Sequence, residues 1–124
     1  MTETLSGDIN FIPQGLDNPP ADPINLLNIW VDQAKHFGVK EPLGFVLSTV
    51  SQTQEPSSRV VLMKEINDTG VIFGSSFDSA KGQDIKNNHH VAGNLWWRET
   101  LQQVCFQGEI STLPNEQSDL HFLE

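Results

Sequence analysis

The stretch Arg59-Val60-Val61-Leu62-Met63-Lys64, the turn Asn67-Asp68-Thr69-Gly70 and the run Val71-Ile72-Phe73-Gly74-Ser75 together decide the fold. Apolar and β-branched residues fill both runs, and the polar turn between them is a hairpin signal. Two antiparallel strands are predicted, over 58–66 and 71–75. Alternate residues of a strand share a face, so Arg59, Val61 and Met63 point one way and Val60, Leu62 and Lys64 the other. Ser79-Ala80-Lys81 follow, where Asp78 or Ser79 caps a predicted short helix running to about residue 88 with Ile85 on its buried side. A strand with a cation at each end, a second strand ending in hydroxyls and a lysine at a helix start are suited to gripping a phosphorylated ligand. Charge-assisted hydrogen bonds to phosphate need fixed cations and short donors together, and a helix N-terminus adds backbone donors. The plain alternative is a set of solvated charges at strand ends.

The rest of the chain extends this hairpin into a sheet. Asp22-Pro23 is an N-cap followed by proline at the first helical position, and Leu26, Leu27, Trp30, Ala34 and Phe37 fall on one helical face before Gly38 ends the helix. After Pro42 the period changes. Strands are predicted over 43–50, 91–97 and 101–111, with a polar turn at 51–56 and a tight connection at 98–100. Pro114 and Asn115 open a last helix, on which Leu120, Phe122 and Leu123 are apolar. The chain reaches Glu124 with no capping signal, which reads as a domain cut short. The expectation is a mainly β domain over 22–124 with flanking helices. Its sheet of about five strands curls toward an incomplete barrel whose open edge needs a partner chain or further sequence. Residues 1–21 carry Pro13, Pro19 and Pro20 and little periodicity, as a mobile arm or an extended segment on another surface would.

Composition narrows the function. Seven Lys and Arg stand against sixteen Asp and Glu, a net charge of −9, which argues against nucleic acid and against anionic membrane surfaces. Three of those seven cations are Arg59, Lys64 and Lys81, along one candidate site. No apolar run is long enough to span a bilayer, and the N-terminus lacks the pattern of a secretory signal, so a cytoplasmic setting is expected. The single Cys105 lies in an apolar strand pattern and reads as a small core residue. His89 and His90 are adjacent and would point to opposite faces of a strand, so no metal site is expected. His36 near a helix end reads as a dipole partner. Of Trp96 and Trp97, one reads as core and the other as interface.

Asp22-Pro23 before a Trp-bearing helix, Arg59-Val-Val-Leu-Met-Lys64, Phe73-Gly74-Ser75, Ser79-Ala80-Lys81 and Gln103-Val104 occur in an order and at spacings that resemble the pyridoxamine 5′-phosphate oxidases. The resemblance runs from Asp22 to the end. It implies an FMN-binding split β-barrel and a homodimer with the flavin at the subunit interface. By the same resemblance, Arg59, Val60, Val61, Leu62 and Lys64 lie along the flavin, Gly74 and Ser75 contact it, and Lys81 binds its phosphate. Gln103 reaches it from the neighbouring subunit, and Lys64 also faces the substrate. No catalytic acid or base is implied, because the flavin carries the chemistry. Trp96-Trp97-Arg98-Glu99-Thr100-Leu101-Gln102-Gln103 and Leu113-Pro114-Asn115 look most like the phenazine-biosynthesis branch, which oxidises reduced tricyclic precursors. The vitamin B6 branch is the alternative; it places a tyrosine where this chain has His121. Ala80 stands where an arginine is common. A Gln-Ser pair, a Trp and an Arg that complete the site in longer members have no counterpart here. A non-catalytic binding module or inert remnant is the third possibility.

Overall fold

The polypeptide is described here from a computed structural model, which covers residues 7–8, 10–74 and 88–111 and, as backbone, 112 and 119–123. Helix α1 (Pro23–Phe37) starts where the sequence places it. The Asp22 carboxylate accepts from Ile24 N at 3.0 Å, a cap worth about 1 kcal/mol. Gly38 ends the helix in the left-handed region at φ 101°, its N–H donating to Ala34 O and Lys35 O.

Six strands follow: β1 (Gly44–Val50), β2 (Pro56–Asn67), β3 (Gly70–Gly74), β4 (His90–Trp97), β5 (Gln102–Thr112) and β6 (Asp119–Leu123). All neighbours are antiparallel, and the sheet closes in the order β1-β2-β3-β6-β5-β4. With six strands in place of about five, and with the expected open edge closed by β6 among the described residues, the mainly β split-barrel expectation is met. The expected last helix is not: residues 119–123 are a strand that fills the gap between β3 and β5. Leu120, Phe122 and Leu123 carry no period long enough to separate helix from strand. What decides between them is the two open ladders beside them, whose backbone groups need partners. The expected helix from 78 to about 88 lies almost wholly outside the described residues.

The barrel interior follows the period-two pattern. Phe45, Leu47 and Thr49 of β1, Val61 and Met63 of β2, Val71 and Phe73 of β3, Val91, Leu95 and Trp97 of β4, and Phe106 and Ile110 of β5 are buried. Phe45 is the hub, meeting Phe73 edge-to-face and Phe106 at a tilt, both with centroids 5.5 Å apart. Trp97 is the core tryptophan, its indole N–H donating to Pro42 O at 3.0 Å. Trp96 faces outward. Cys105 is not a core residue. It is exposed, because Phe106 takes the inward position beside it, and its Sγ accepts from Asn94 Nδ2.

The helix contributes Leu27, Val31 and Ala34 to this core. Val31 joins that stripe, Trp30 packs against its edge, and Phe37 is exposed rather than in the core. Trp30, Phe37 and Leu26 also carry the N-terminal segment. Trp30 Nε1 donates to Gln14 O at 2.8 Å, Phe11 meets Phe37 edge-on, and Gly15 lies where a Cβ would reach Leu26 at 2.8 Å.

Gly93 has no room for a side chain. A Cβ there would lie 2.4 and 2.5 Å from two ring atoms of Phe106, its cross-strand partner. Gly93→Ala should therefore cost about 1–3 kcal/mol, read as a lowered urea midpoint. Gly44→Ala, whose nearest neighbours lie at 3.1 Å and beyond, should cost visibly less.

Candidate functional site

The pleat of β2 sorts the candidate residues before any ligand is considered. Val61 and Met63 enter the core, while Val60 and Leu62 stand outward, 70% and 53% exposed. Two bulky apolar side chains side by side in water on one strand are costly, at roughly 25 cal/mol per Å² of apolar surface. Their neighbours extend the same surface. Register places Val60 opposite Val46, Val46 opposite Asn94, and Asn94 opposite Cys105. One step along, Leu62 faces Gly44 and Trp96 faces Gln103. Trp96 is 46% exposed.

The opposite direction is polar. Ser58, Ser48, Ala92 and Gln107 form the next row across the same four strands. A groove of about 660 Å³ lies over this end, lined by Ser48, Ala92, Asn94, Cys105 and Gln107. The outer face therefore grades from an apolar plate (Val46, Val60, Leu62, Trp96) to a hydrogen-bonding floor. The sequence marked Val60, Leu62 and Gln103 but missed Val46 and Asn94, whose membership depends on strand order rather than on any local signal.

Lys64 occupies a β-bulge. Met63 pairs with Phe73 and Glu65 with Ile72, so Lys64 is the extra residue on β2. A bulge lets two successive side chains face out before alternation resumes. Lys64 and Glu65 are both exposed, and Ile66 packs against the core again. Two successive charges between Met63 and Ile66 were the available signal.

Arg59 sits on the other face of β2, at the barrel rim. Its Nη1 donates to Leu47 O at 3.1 Å and to Thr49 Oγ1 at 2.9 Å, and Nη2 donates to Ser57 Oγ at 2.7 Å. Thr49 is fully buried. This fixes the guanidinium, and it separates Arg59 from Lys64 by the strand's thickness and by about 16 Å of its length. These two cations cannot close on one phosphate group. The two cations lie on opposite faces of β2, so a ligand that meets both has to pass around the end of the strand.

Of the remaining candidates, Val61 is a core side chain, so only its backbone is open to a ligand. Gly74 ends β3 opposite Asp119. Gln103 is exposed on β5. Ser75 and Lys81 lie outside the described residues. His89 and His90 are exposed at the start of β4, and His36 Nδ1 lies 2.9 Å from Asp32 O near the helix end. Among the described residues no three His, Cys, Asp or Glu side chains are grouped as a metal would need. Nor is any helix among them long and apolar enough to cross a membrane.

Residues 31–123 match the family model described as pyridoxamine 5′-phosphate oxidase. A dihydrophenazinedicarboxylate synthase of Pseudomonas chlororaphis is 36% identical over 124 residues, all of this chain and 56% of the relative. A pyridoxine/pyridoxamine 5′-phosphate oxidase of Psychrobacter cryohalolentis is 38% identical over 103 residues, 83% of this chain and 48% of the relative. Among solved structures, PhzG from Burkholderia lata 383 in complex with tetrahydrophenazine-1-carboxylic acid superposes with a TM-score of 0.82 at 36% identity. That match covers 86% of this chain and 53% of the other. The chain thus spans about half the length of the curated relatives it matches.

Arg59→Ala removes the donor that ties β2 to Leu47 O and Thr49 Oγ1. It should destabilise the fold by about 1–3 kcal/mol even without ligand, and Arg59→Lys should restore only part of that because it lacks the fork. Chemical denaturation of the three proteins checks this.

Proposed function

The chain belongs to the pyridoxamine 5′-phosphate oxidase family, and on that footing we propose that it carries the FMN cradle of an oxidase acting on a reduced phenazine precursor. The observation that carries the reading is the outer face of β2. An exposed apolar plate of Val60, Leu62, Val46 and Trp96 borders a bulged lysine, with a fixed arginine at the rim on the other face of the strand, in a chain otherwise poor in cations. A flat aromatic ring system bearing a phosphate-terminated tail matches both halves of that description. The residues present therefore fit the group, with Ser75 and Lys81 as its further proposed phosphate donors.

FMN, when bound, supplies the redox chemistry by accepting a hydride equivalent and passing electrons on. The chain's own part is physical. Val60 and Leu62 bury the ring and keep water from it. Arg59, held by three hydrogen bonds to described partners, offers charge without losing side-chain entropy at the moment of binding. Lys64, lifted outward by the bulge, faces the ligand side, where it also serves the substrate. Gln103, beside Trp96, is placed on the same outer face from a different strand. That suits a residue reaching a flavin bound between two copies of the chain, so the proposal includes a homodimer with the plate at its interface. A cytoplasmic setting accords with the acidic composition.

The phenazine reading is supported by a likeness that extends over the whole chain, against 103 residues for the B6 oxidase cited. The B6 reading keeps one specific support: a bulged, outward lysine suits a phosphorylated substrate.

Titration of the purified chain with FMN, followed by flavin fluorescence quenching, should show saturable binding. Arg59→Ala and Lys81→Ala should each weaken it about ten- to a hundredfold, the range for losing a charge-assisted hydrogen bond, while His89→Ala should leave it unchanged. Equal losses in all three would remove the assigned site. Turnover of pyridoxamine 5′-phosphate, rather than of a reduced phenazine carboxylate, by a chain carrying the relatives' remaining length would reassign the substrate.

A further inference from the structure

The N-terminal segment has a path that the flavin reading does not use. It begins on the turn between β4 and β5. Asp8 N donates to Glu99 O at 2.8 Å, and a Cβ on Gly7 would fall 2.0 Å from Arg98 O and 2.6 Å from Leu101 Cγ. A turn then redirects it, with Phe11 N donating to Asp8 O and Asn10 N to the Asp8 carboxylate. From there it runs the length of α1 in the opposite direction, past Phe37, Gln33, Trp30 and Leu26 in turn.

The grip on it is made largely to backbone. Gln33 acts as a fork: its Oε1 accepts from Gln14 N at 3.0 Å and its Nε2 donates to Ile12 O at 3.1 Å, as a neighbouring strand would. Trp30 Nε1 takes Gln14 O. Ile12 and Leu16 of the segment remain exposed, so its hold depends on these polar contacts and on Phe11 rather than on buried side chains.

The turn it touches is unusual. Leu101 has φ 55°, a left-handed conformation that a residue with a branched side chain keeps only where its surroundings hold it. Glu99 is also anchored from the far side, its Oε2 accepting from Lys40 N. Two residues to either side of this turn's ends stand Trp96 and Gln103, paired across the hairpin on the outer face.

We propose that residues 7–8 and 10–16 act as a strap, clamped by Gln33, that holds the 98–101 turn with Leu101 in its left-handed conformation and thereby positions Trp96 and Gln103 at the outer face. Gln33 is a positioning residue, acting through the strap. The functional importance of that position rests on the flavin reading, but the strap itself is measurable without flavin.

The test uses the 124-residue chain with Gln33→Leu, which removes the fork, and Gly7→Ala, which lifts the strap from Arg98 O. Nuclear magnetic resonance reads the Asp8 and Gln14 backbone amides, the Trp96 indole N–H and the Gln103 side-chain amide. Faster exchange at Asp8 in both variants and at Gln14 in Gln33→Leu, with displaced Trp96 and Gln103 signals, is the expected result. FMN affinity should then fall about fivefold to tenfold, and Asn28→Ala, exposed on the same helix away from Gln33, should change none of these. Released strap amides with Trp96 and Gln103 unmoved would overturn the proposal, and so would strap amides that stay protected in both variants. Displaced signals in a chain that binds no FMN even as wild type would support the strap and sink the flavin reading instead.

Discussion

The two-residue period of β2 is the constraint on which the rest depends. Because successive side chains must leave opposite faces of the pleat, Val61 and Met63 cannot serve the core without Val60 and Leu62 being presented outward. A one-residue slip would put Lys64 and Val60 inside the barrel and Met63 in water. The register is pinned on one side by β1, which pairs seven residues of β2 from Pro56 to Leu62. On the other side it is pinned by the tight 67–70 turn, where Asn67 Oδ1 accepts from Thr69 N and Thr69 Oγ1. The bulge at Lys64 reconciles the two, absorbing one residue so that Ile66 regains the core.

Closure of the barrel settles the edges but not the faces. With β6 between β3 and β5, the strands of the described fold all have two neighbours, so the backbone asks for no partner. The barrel's outer face still carries the apolar plate of β1, β2 and β4. An exposed patch of this kind on an acidic chain signals an interaction surface. Its polar edge, running from Asn94 to Gln107, gives any partner a defined orientation. Covering the plate with a flat ligand and with a second chain are compatible, since a ring too small to hide four side chains leaves area for a protein surface.

Much of this was legible in the sequence, and the reasons are local. Asp22-Pro23 and Gly38 bound the helix through caps whose chemistry involves a few neighbouring atoms, and both stand as read. The five strands from 44 to 112 announced themselves by alternation and turn residues, to within about two residues at most ends. What failed needed knowledge of neighbours. The strand at 119–123 reads locally as a helix because the open ladder that it closes, that of β3, is far away in sequence. Cys105 was placed inside because an apolar run hides its own phase; only Phe106 facing Phe45 reveals which residues point in. The helix stripe differs from the expected one in Val31, which is in the core, and in Phe37, which turns to Phe11 of the N-terminal segment instead. In the site, Arg59, Val60, Leu62 and Lys64 could be sorted by face from sequence, while Thr49 and Ser57, which hold Arg59, emerge only from the β1–β2 register.

The separation of Arg59 from Lys64 bears on the proposed substrate. A cation already committed to Leu47 O, Thr49 Oγ1 and Ser57 Oγ is rigid and suits a permanent, tightly held phosphate. Lys64 is a point charge on a bulge of the opposite face, without the planar fork that fixes a guanidinium. A phosphorylated pyridine would place its dianionic group near Lys64 and would require further fixed donors to compete with water. A carboxylated tricycle asks less of the cation, because most of its binding free energy comes from apolar ring surface laid against the plate at roughly 25 cal/mol per Å². Among the described residues Lys64 is the one cation on the ligand face of β2, and Val46, Val60, Leu62 and Trp96 provide apolar surface around it. One point charge beside a broad apolar plate is what supports the proposed reading of a flat, ring-rich substrate on this face.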